Sequence, residues 1–468
     1  MDNVINISTL ANLPSTSCLV KRRKKVQAAL SVDTVALISA GHPAPRNFPA
    51  NHYMGFRAAS HFLYLVGQQL PYAILCLTRT NSRLFLPAPT RSGALWHGEE
   101  KSFELLSKEI GCEVKPLSDL TRALSSYQPQ HILRPICYQE SVRQELIKLS
   151  GRDEEAEWDK ELNLALVQAR LVHDEEAIQQ LRYASQLTTL AHLAGIKATK
   201  EATWAHQVRA AMEFPLNAYG ATVAYAPIVT PHGEVLHNHS YHTPLKSGDL
   251  LLADVGAETP QGWAGDVTRT WPVNGNWSPT QKAVYEVVLS ALKESCKLAK
   301  PGVEYAELHQ KAREILTLGL IDLNILKGQL EENLFANSIA LFFPHGIGHL
   351  LGLDVHDMED LGDLAGYAQG RMRRDTFGWG YLRLDRPLQA GMAITVEPGF
   401  YQVPALLKDP TWAGEKAGQF VNWTVLEQFS DVRGIRIEDD LLITDDGAEI
   451  LSADIPYESH DIIELWNA

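Results

Sequence analysis

The stretch LLLADVGAETPQGWAGDVTRTW, residues 250–271, decides the fold of the second half of the chain. It opens with Leu250–Gly256, an apolar run typical of a buried strand, passes through a turn, and continues as a second β-prone run that ends at Trp271. These runs carry Asp254 and Asp266 in apolar, strand-like surroundings, where an unpaired negative charge is costly. A single carboxylate of this kind would usually belong to a salt bridge or a helix cap.

Further acidic and histidine residues stand in similar surroundings in the same half of the chain. Glu397 ends the predicted strand Met392–Glu397, and Glu438 lies within the predicted strand Gly434–Thr444. His349 follows two glycines, which argue against a helix at this point. Four carboxylates and one imidazole could neutralise two divalent cations, and such an oxygen-rich set suits Mn²⁺, Co²⁺ or Fe²⁺ better than a structural zinc site. Two neighbouring cations can activate water at neutral pH and polarise a carbonyl group.

The composition and the net charge exclude several classes of protein. The 468 residues are 45% hydrophobic and 21% charged, which is ordinary for a folded chain, and their formal net charge is −14. So acidic a chain is a poor partner for nucleic acid. The five cysteines are scattered and include no CxxC pair, which favours a reducing compartment. Without a secretory signal or an apolar run of the ~18–20 residues that a membrane span needs, we expect a cytoplasmic protein with no membrane partner.

Local patterns predict the organisation of the chain. Residues 1–170 alternate between helical patterns and short runs rich in aliphatic or aromatic residues, which predict strands at Thr34–Ala40, His61–Val66, Tyr72–Thr78 and Ser82–Pro87, the last two as a hairpin. A polar, helix-prone stretch from 151 to 200 contains the predicted domain boundary near residue 170. Further on, Ser278 and Gln281 predict a capping box that opens a helix. The basic run Lys21–Lys25 predicts the solvated face of a first helix.

Five motifs resemble those of the pita-bread metallopeptidases, and more narrowly those of aminopeptidase P and prolidase, which cut the bond before proline. The motifs are Asp254-Val255-Gly256-Ala257-Glu258, Gly265-Asp266-Val267-Thr268-Arg269-Thr270, His345-Gly346-Ile347-Gly348-His349, Val396-Glu397-Pro398-Gly399 and Gly434-Ile435-Arg436-Ile437-Glu438-Asp439. Gly55–Gly67 and Leu95–Glu99 extend the resemblance to the first half. The resemblance implies an α/β N-terminal domain, residues 1–170, and an α+β pita-bread (creatinase/aminopeptidase) catalytic domain, residues 171–468.

The resemblance also implies roles for individual residues. It assigns Asp254 to one cation, Asp266 and Glu438 to both, and His349 and Glu397 to the other, with Mn²⁺ as the expected metal. Glu397 is further expected to act as a proton shuttle. The remaining expected residues are the catalytic histidines and the substrate-binding arginines, namely His237, His345, His356, Arg383 and Arg436. A proline-containing peptide is the expected substrate, and a homo-oligomer the expected assembly.

Two features leave more than one interpretation open. The turn between Asp254 and Asp266 is one residue longer than is usual in the family, and we expect the two arms to form a hairpin in which the extra residue bulges and both carboxylates face inward. Arg383 matches the arginine with which prolidases hold a substrate carboxylate, so a dipeptidase is the alternative to an Xaa-Pro aminopeptidase. A non-catalytic binding protein and a metal-free hydrolase resembling creatinase also stay open as hypotheses. Trp96 is expected in the core, with a role in a shared active site as the alternative.

Overall fold

The computed structural model describes residues 13–48, 51–52, 55–153, 157–414 and 416–468. The described chain packs as two compact units. The N-terminal unit comprises the residues up to Val172 together with Met358–Ala365, and the C-terminal unit comprises His173–Asp357 and Gly366–Ala468. No local sequence pattern indicates that Met358–Ala365 belongs to the N-terminal unit.

The N-terminal unit alternates helices and strands, as an α/β domain does. Its helices are α1 (Thr16–Gln27), α2 (Ser60–Val66), α3 (Arg91–His97), α4 (Phe103–Ile110), α5 (Leu120–Leu124), α6 (Glu140–Ser150) and α7 (Glu157–Arg170). Its strands are β1 (Val35–Ser39), β2 (Pro45–Phe48), β3 (Asn51–His52), β4 (Ile74–Leu77), β5 (Ser82–Leu86), β6 (Glu113–Pro116) and β7 (Ile132–Leu133). Five of these strands form a sheet in the order β6-β5-β4-β1-β7. The predicted hairpin is confirmed as β4 and β5.

The prediction of a strand at His61–Val66 is wrong, because this segment forms α2. All seven residues of α2 are buried, so the helix shows no alternation of buried and exposed positions that would distinguish it from a buried strand. Gly67 ends the helix in the left-handed conformation, with φ of 70°. Trp96 also departs from its expected core position, since it is 75% exposed on α3, a short helix that buries no side chain.

The basic run Lys21–Lys25 lies on a helix, as predicted, but only its lysines are solvated. Arg22 and Arg23 are 2% and 1% exposed. The Arg23 guanidinium donates to the carbonyl oxygens of Leu65 and Ile110, at 2.8 and 2.6 Å, in the last turns of α2 and α4. A cation at a helix C-terminus satisfies carbonyl groups that the helix itself leaves unpaired. The arginines therefore belong to the core of the N-terminal unit.

The C-terminal unit also mixes helices with short antiparallel sheets. Its helices are α8 (Glu175–Ala198), α9 (Ala205–Ala218), α10 (Pro279–Leu298), α11 (Tyr305–Asp322), α12 (Leu330–Ala336), α14 (Pro404–Leu407), α15 (Pro410–Ala413), α16 (Trp423–Gln428) and α17 (Ser459–Asn467), while α13 (Asp363–Gly366) lies where the chain re-enters the unit. Its strands are β8 (Thr222–Val223), β9 (Ile228–Thr230), β10 (Leu250–Asp254), β11 (Ala257–Glu258), β12 (Thr268–Pro272), β13 (Ala393–Val396), β14 (Gly399–Tyr401), β15 (Gly434–Arg436), β16 (Asp439–Ile443) and β17 (Ala448–Ile450). The predicted capping box of α10 is confirmed. None of the described helices combines the length and the apolar character that a membrane crossing requires.

The predicted hairpin is formed by β10 and β12, in which Asp254 pairs with Thr268. The same register continues toward the turn, where Gly265 N–H donates to Ala257 O and Thr259 N–H to Trp263 O. The extra residue therefore lies in the turn itself, and the expected bulge is wrong. Because the register is unbroken, Asp266 lies two residues from the partner of Asp254, so both side chains project from the same face.

The predicted strand Gly434–Thr444 is two strands that share a break at residues 437–438. β15 pairs with β14, whereas β16 pairs with β13 and β17. At the break, the backbone N–H of Glu438 donates to Thr268 O at 3.0 Å, which joins this segment to the hairpin strand β12. The change of partner, which no local pattern reveals, brings Glu438 next to the hairpin carboxylates.

Candidate metal centre

Two carboxylates of the site come from the hairpin. Asp254 is the last residue of β10, and Asp266 precedes β12 by two residues on the same face. Tyr225 Oη lies 2.5 Å from Asp254 Oδ1 and 2.5 Å from Asp266 Oδ1. A phenol has one proton to donate, so one hydroxyl stands between two carboxylates that face each other. Asp266 is 5% exposed, and its backbone N–H donates to the buried carboxylate of Asp440.

The other two carboxylates come from the second ladder. Glu397 directly follows β13 and Glu438 directly precedes β16, so each stands where strand pairing ends. Thr268 donates from Oγ1 to Glu438 Oε2 at 2.7 Å, and Arg436 Nε lies 3.0 Å from the same Oγ1. Glu438 is 2% exposed. Hydrogen bonds from the hairpin strand thus fix the orientation of this carboxylate.

The segment before Leu350 runs beside β13 and brings His349 to the carboxylates. Thr395 N–H donates to His349 O and Glu397 N–H to Ile347 O. Gly348 has φ of 147°, and a Cβ there would lie 2.4 Å from Thr395 O, so a side chain at this position would prevent the close approach. His349 Nδ1 lies 3.0 Å from Leu350 O, which can only accept, so Nδ1 carries the proton and Nε2 presents its lone pair to the site.

The donor atoms lie close enough together to share a metal ion. One ligand atom each from Asp266, His349 and Glu438 lie within 4.8 Å of one another. His349 Nε2 is 3.3 Å from Asp266 Oδ2 and 3.8 Å from Glu397 Oε1. Asp254 joins this group through the shared Tyr225 hydroxyl. A set of buried carboxylates and one imidazole fits divalent cations, because the cations supply the positive charge that the carboxylates lack.

The pKa shifts of the carboxylates reflect the same excess of negative charge. Burial raises the pKa of Asp254 and of Asp266, and burial together with the charges of Asp266 and Glu397 raises the pKa of Glu438 well above its usual value. Burial raises the pKa of Glu397 to about 8. These groups repel one another at neutral pH unless protons or cations offset their charge.

Arg436 supplies a positive charge beside the carboxylates. Its guanidinium donates to Asp254 Oδ2 at 2.6 Å and to Tyr401 Oη at 3.1 Å. Burial opposes its charge, but Tyr401 and the nearby carboxylates raise the pKa of Arg436 above its usual value. One guanidinium offsets one of four negative charges, so the site still favours further cations.

All ten side chains predicted for the site line one cavity of about 400 Å³ in the C-terminal unit. The cavity brings together Asp254, Asp266, His349, Glu397 and Glu438 with His237, His345, His356, Arg383 and Arg436. His356 packs against His349, with ring centroids 4.3 Å apart. His345 Nδ1 is 3.8 Å from Glu397 Oε2, and burial lowers the pKa of His345 to about 3, which keeps the ring neutral. Burial, followed by Arg436, lowers the pKa of His237.

Sequence reasoning missed Tyr225, Tyr401, Thr268 and Asp440. Tyr225 stands in an ordinary Ala-Tyr-Ala context, and its importance depends on a fold contact with residues 29 and 41 positions away. Tyr401 Oη accepts from Arg436 and lies 2.9 Å from His345 Nε2, and burial raises its pKa to about 12. Asp440 could have been noticed as a third acid in a run of three within a β-prone stretch.

Comparison with known families gives two matches. The family model of Metallopeptidase family M24 matches residues 179–445, and that of the aminopeptidase P N-terminal domain matches residues 19–132. The first match includes the whole set of predicted site residues.

Relatives with high coverage carry related names. A Fusarium vanettenii protein named "Probable Xaa-Pro aminopeptidase" is 33% identical over 410 residues, which are 85% of each chain. The Xaa-Pro dipeptidase of Homo sapiens is 29% identical over 450 residues, which are 92% of this chain and 88% of the human one. Among solved structures, a histidine-to-alanine variant of Escherichia coli aminopeptidase P superposes with a TM-score of 0.80 at 27% identity, over 97% of this chain and 99% of that one.

Proposed function

The chain belongs to metallopeptidase family M24, and from this premise we propose that it is an Xaa-Pro aminopeptidase, which removes the residue in front of proline at the N-terminus of a peptide. It has an aminopeptidase P-type α/β N-terminal domain and an α+β pita-bread catalytic domain. The observation that carries the proposal is the convergence of four carboxylates and His349 on one cavity. We propose domain limits of 1–170 and 171–468 along the sequence, with Met358–Ala365 packing as part of the N-terminal unit.

The donor chemistry supports two divalent cations, held by Asp254, Asp266, His349, Glu397 and Glu438. When bound, such cations supply Lewis acidity, which polarises a carbonyl group and lowers the pKa of water. Mn²⁺ is the proposed metal, because the donors are mainly hard oxygen atoms. The nitrogen of proline carries no N–H in an Xaa-Pro bond, so proteases that bind the amide N–H of the scissile bond cannot bind this one. A site that polarises the carbonyl group does not need that donor.

The remaining residues provide proton transfer and orientation. We propose that Glu397, whose carboxylate lies 3.8 Å from both His345 and His349 in the cavity, passes a proton to the proline nitrogen. His237 and His356 line the cavity and would donate to the oxygen that gains negative charge. Neutral His345, whose Nδ1 lies 2.7 Å from Gly346 O and whose Nε2 lies 2.9 Å from Tyr401 Oη, would line the substrate pocket beside Glu397.

The alternative is an Xaa-Pro dipeptidase, and Arg383 is the observation that favours it. This arginine lines the cavity and could hold the free carboxylate of a dipeptide. The human Xaa-Pro dipeptidase among the relatives makes this scope a serious alternative. Arg436 lines the same cavity, where it donates hydrogen bonds to Asp254 and Tyr401. We propose that it affects substrate binding indirectly, because it fixes the position of the Asp254 carboxylate.

The cysteines and the surface of α3 bear on location and assembly. All five cysteines are free thiols, which supports a reducing compartment, and we propose the cytoplasm. Leu95 and Trp96 are 76% and 75% exposed on α3, which supports an apolar surface covered in a homo-oligomer.

Metal analysis followed by a substrate comparison tests the proposal. The purified chain is expected to hold close to two metal ions, to lose activity on chelation, and to regain it with Mn²⁺. An aminopeptidase cleaves Leu-Pro-Pro at least as well as Leu-Pro, whereas a dipeptidase cleaves only Leu-Pro. Leu-Ala-Pro serves as the control without proline in the second position. Full metal occupancy with no cleavage would favour a binding protein, and metal-free turnover would favour a creatinase-like hydrolase.

A further inference from the structure

A second cavity, of about 220 Å³, adjoins the catalytic cavity in the C-terminal unit. Phe377 lines both cavities and therefore stands at their junction. Asn337 fixes its backbone there, because Asn337 Nδ2 donates to Phe377 O at 3.0 Å. One water molecule requires about 10–15 Å³ of free space. The second cavity thus has room for a whole side chain of a ligand.

Two consecutive helices run from one cavity to the other. Leu406 belongs to α14 and lines the catalytic cavity, whereas Thr411 and Trp412 belong to α15 and line the second cavity. Across from them in the sequence, Tyr381 lines the catalytic cavity and Phe377 lines both. The same two segments of the chain, 377–381 and 403–412, therefore form the lining of both cavities, which makes the second cavity a continuation of the first.

Three aromatic rings mark the path between the cavities. The ring centroid of Phe377 lies 6.0 Å from that of Tyr381 and 3.9 Å from that of Trp412. Tyr381 and Trp412 are 56% and 38% exposed, so part of each ring is accessible to a ligand. An extended peptide advances ~3.3 Å per residue, so these two steps correspond to about two or three residues.

The second cavity carries a positive charge. Lys416 is the one charged side chain among the described residues that line it, and Thr411 adds a hydroxyl group to the same lining. Lys416 is exposed and forms no ion pair with any residue that the structure describes. The chain as a whole has a formal net charge of −14, which disfavours an anionic group over most of its surface. An ammonium group without a partner is therefore a favoured place for a carboxylate.

We propose that the second cavity is a subsite for the downstream part of a peptide substrate. A side chain two or three positions after the proline packs against Trp412, and the C-terminal carboxylate of the peptide pairs with Lys416. This inference rests on the proposed peptidase function and deepens it, because it makes peptides of four or five residues the preferred substrates. A dipeptide, which ends at the proline, is too short to reach Lys416.

Steady-state cleavage by the Mn²⁺-loaded full chain tests the carboxylate contact. Leu-Pro-Ala-Phe and Leu-Pro-Ala-Ala-Phe are each compared with their C-terminal amides, and the acid is expected to have a KM about three- to tenfold lower than the amide at one length or at both. Lys416→Met is expected to abolish this preference. Lys408→Met is the matched control, because Lys408 is exposed, lies eight residues earlier and lines neither cavity. The proposal is overturned if neither length shows the preference, or if Lys416→Met retains it.

Trp412→Ala tests the apolar contact. The ratio of KM for the preferred longer peptide to KM for Leu-Pro-Ala is expected to rise about five- to twentyfold, because only the longer peptide reaches this ring. A merely structural loss would raise both KM values and leave the ratio unchanged. Trp423→Ala is the matched control, because Trp423 is 41% exposed and lines neither cavity. An unchanged ratio in Trp412→Ala, or an equal rise in Trp423→Ala, contradicts the subsite.

Calorimetric titration separates the subsite from the peptidase function. If the chain cleaves no peptide longer than a dipeptide, the proposed aminopeptidase function fails. Titration of the metal-loaded protein with the same acids and amides then decides the subsite. A Kd for the acid about three- to tenfold lower than that for the amide, with the difference lost in Lys416→Met, supports the subsite, and equal Kd values overturn it.

Discussion

Among single residues, Tyr225 has a role that depends on whether cations are present. Its hydroxyl is 2.5 Å from a carboxylate oxygen of both Asp254 and Asp266. When a chelator removes the cations, this hydroxyl is the nearest neutral donor for the two carboxylates. Tyr225→Phe is therefore expected to destabilise the chelated protein by about 1–3 kcal/mol and the metal-loaded protein by less. Thermal unfolding with EDTA and with Mn²⁺ measures the difference.

Tyr285→Phe is the control for this prediction. Tyr285 is also buried, but its hydroxyl donates to the carbonyl oxygen of Tyr457, away from the carboxylates. Its removal is expected to lower Tm equally in both states. An equal loss in both states for Tyr225→Phe would show that the hydroxyl has no link to the cations.

Glu397 is the residue whose loss should remove activity most completely. Glu397→Ala takes away a carboxylate that lies 3.8 Å from both His345 and His349. Loss of the proton shuttle is expected to lower kcat by at least about 100-fold, and metal content should fall as well. Glu449→Ala, which removes a partner of Arg182, is the control and should retain both metal and activity. Turnover of Leu-Pro-Pro near the wild-type rate in Glu397→Ala would reject the proposed role.

Arg383 distinguishes the two substrate scopes at the level of one side chain. If it binds a dipeptide carboxylate, Arg383→Met is expected to raise KM for Leu-Pro by about 10- to 100-fold, the value of a charge-assisted hydrogen bond. Leu-Pro amide, which lacks the carboxylate, should be affected little. Arg386→Met is the control, because Arg386 donates to Tyr367 O instead. Equal losses for both substrates would exclude a carboxylate clamp.

At the scale of elements, the start of α10 offers a test of local stability. Ser278 Oγ accepts from Gln281 N at 3.0 Å and donates to Asp431 Oδ2 at 2.5 Å. Ser278→Ala is expected to destabilise the chain by about 1 kcal/mol and to leave kcat unchanged. Thr90→Ala removes a comparable cap from α3, which buries no side chain, so its effect on Tm should be smaller. Equal losses of Tm in Ser278→Ala and Thr90→Ala would show that the contribution of a cap to stability does not depend on how deeply its helix is buried.

The same elements show what the sequence could and could not reveal. The hairpin strands and the capping box of α10 were predictable, because a strand pattern and a cap depend on neighbouring residues. The division of Gly434–Thr444 into β15 and β16 was not, because it results from a change of distant partner at Glu438. Similarly, the acids could be found as charges at the ends of apolar runs, whereas Tyr225 is recognised only by its contacts in the folded chain.

For the whole molecule, net charge and metal binding should govern stability together. The formal charge is −14, and the C-terminal unit concentrates four buried carboxylates in one cavity. Burial raises the pKa of Glu397 to about 8 and raises those of Asp254, Asp266 and Glu438. In the chelated protein, folding therefore requires these groups to hold protons that the unfolded chain releases at lower pH.

The sign of the pH dependence follows from these raised pKa values. A group with a raised pKa in the folded state contributes stability below its unfolded pKa and loses it as the pH rises through the folded pKa. The chelated protein is thus expected to lose stability between about pH 5 and pH 8, whereas bound cations offset the charges. The Tm difference between Mn²⁺-loaded and chelated protein should widen by roughly 5 °C over this range. Glu397→Gln cannot ionise, so the Tm of the chelated variant should depend less steeply on pH than that of the chelated wild type. A Tm difference between Mn²⁺-loaded and chelated wild type that stays constant with pH would contradict a cation site built from these carboxylates.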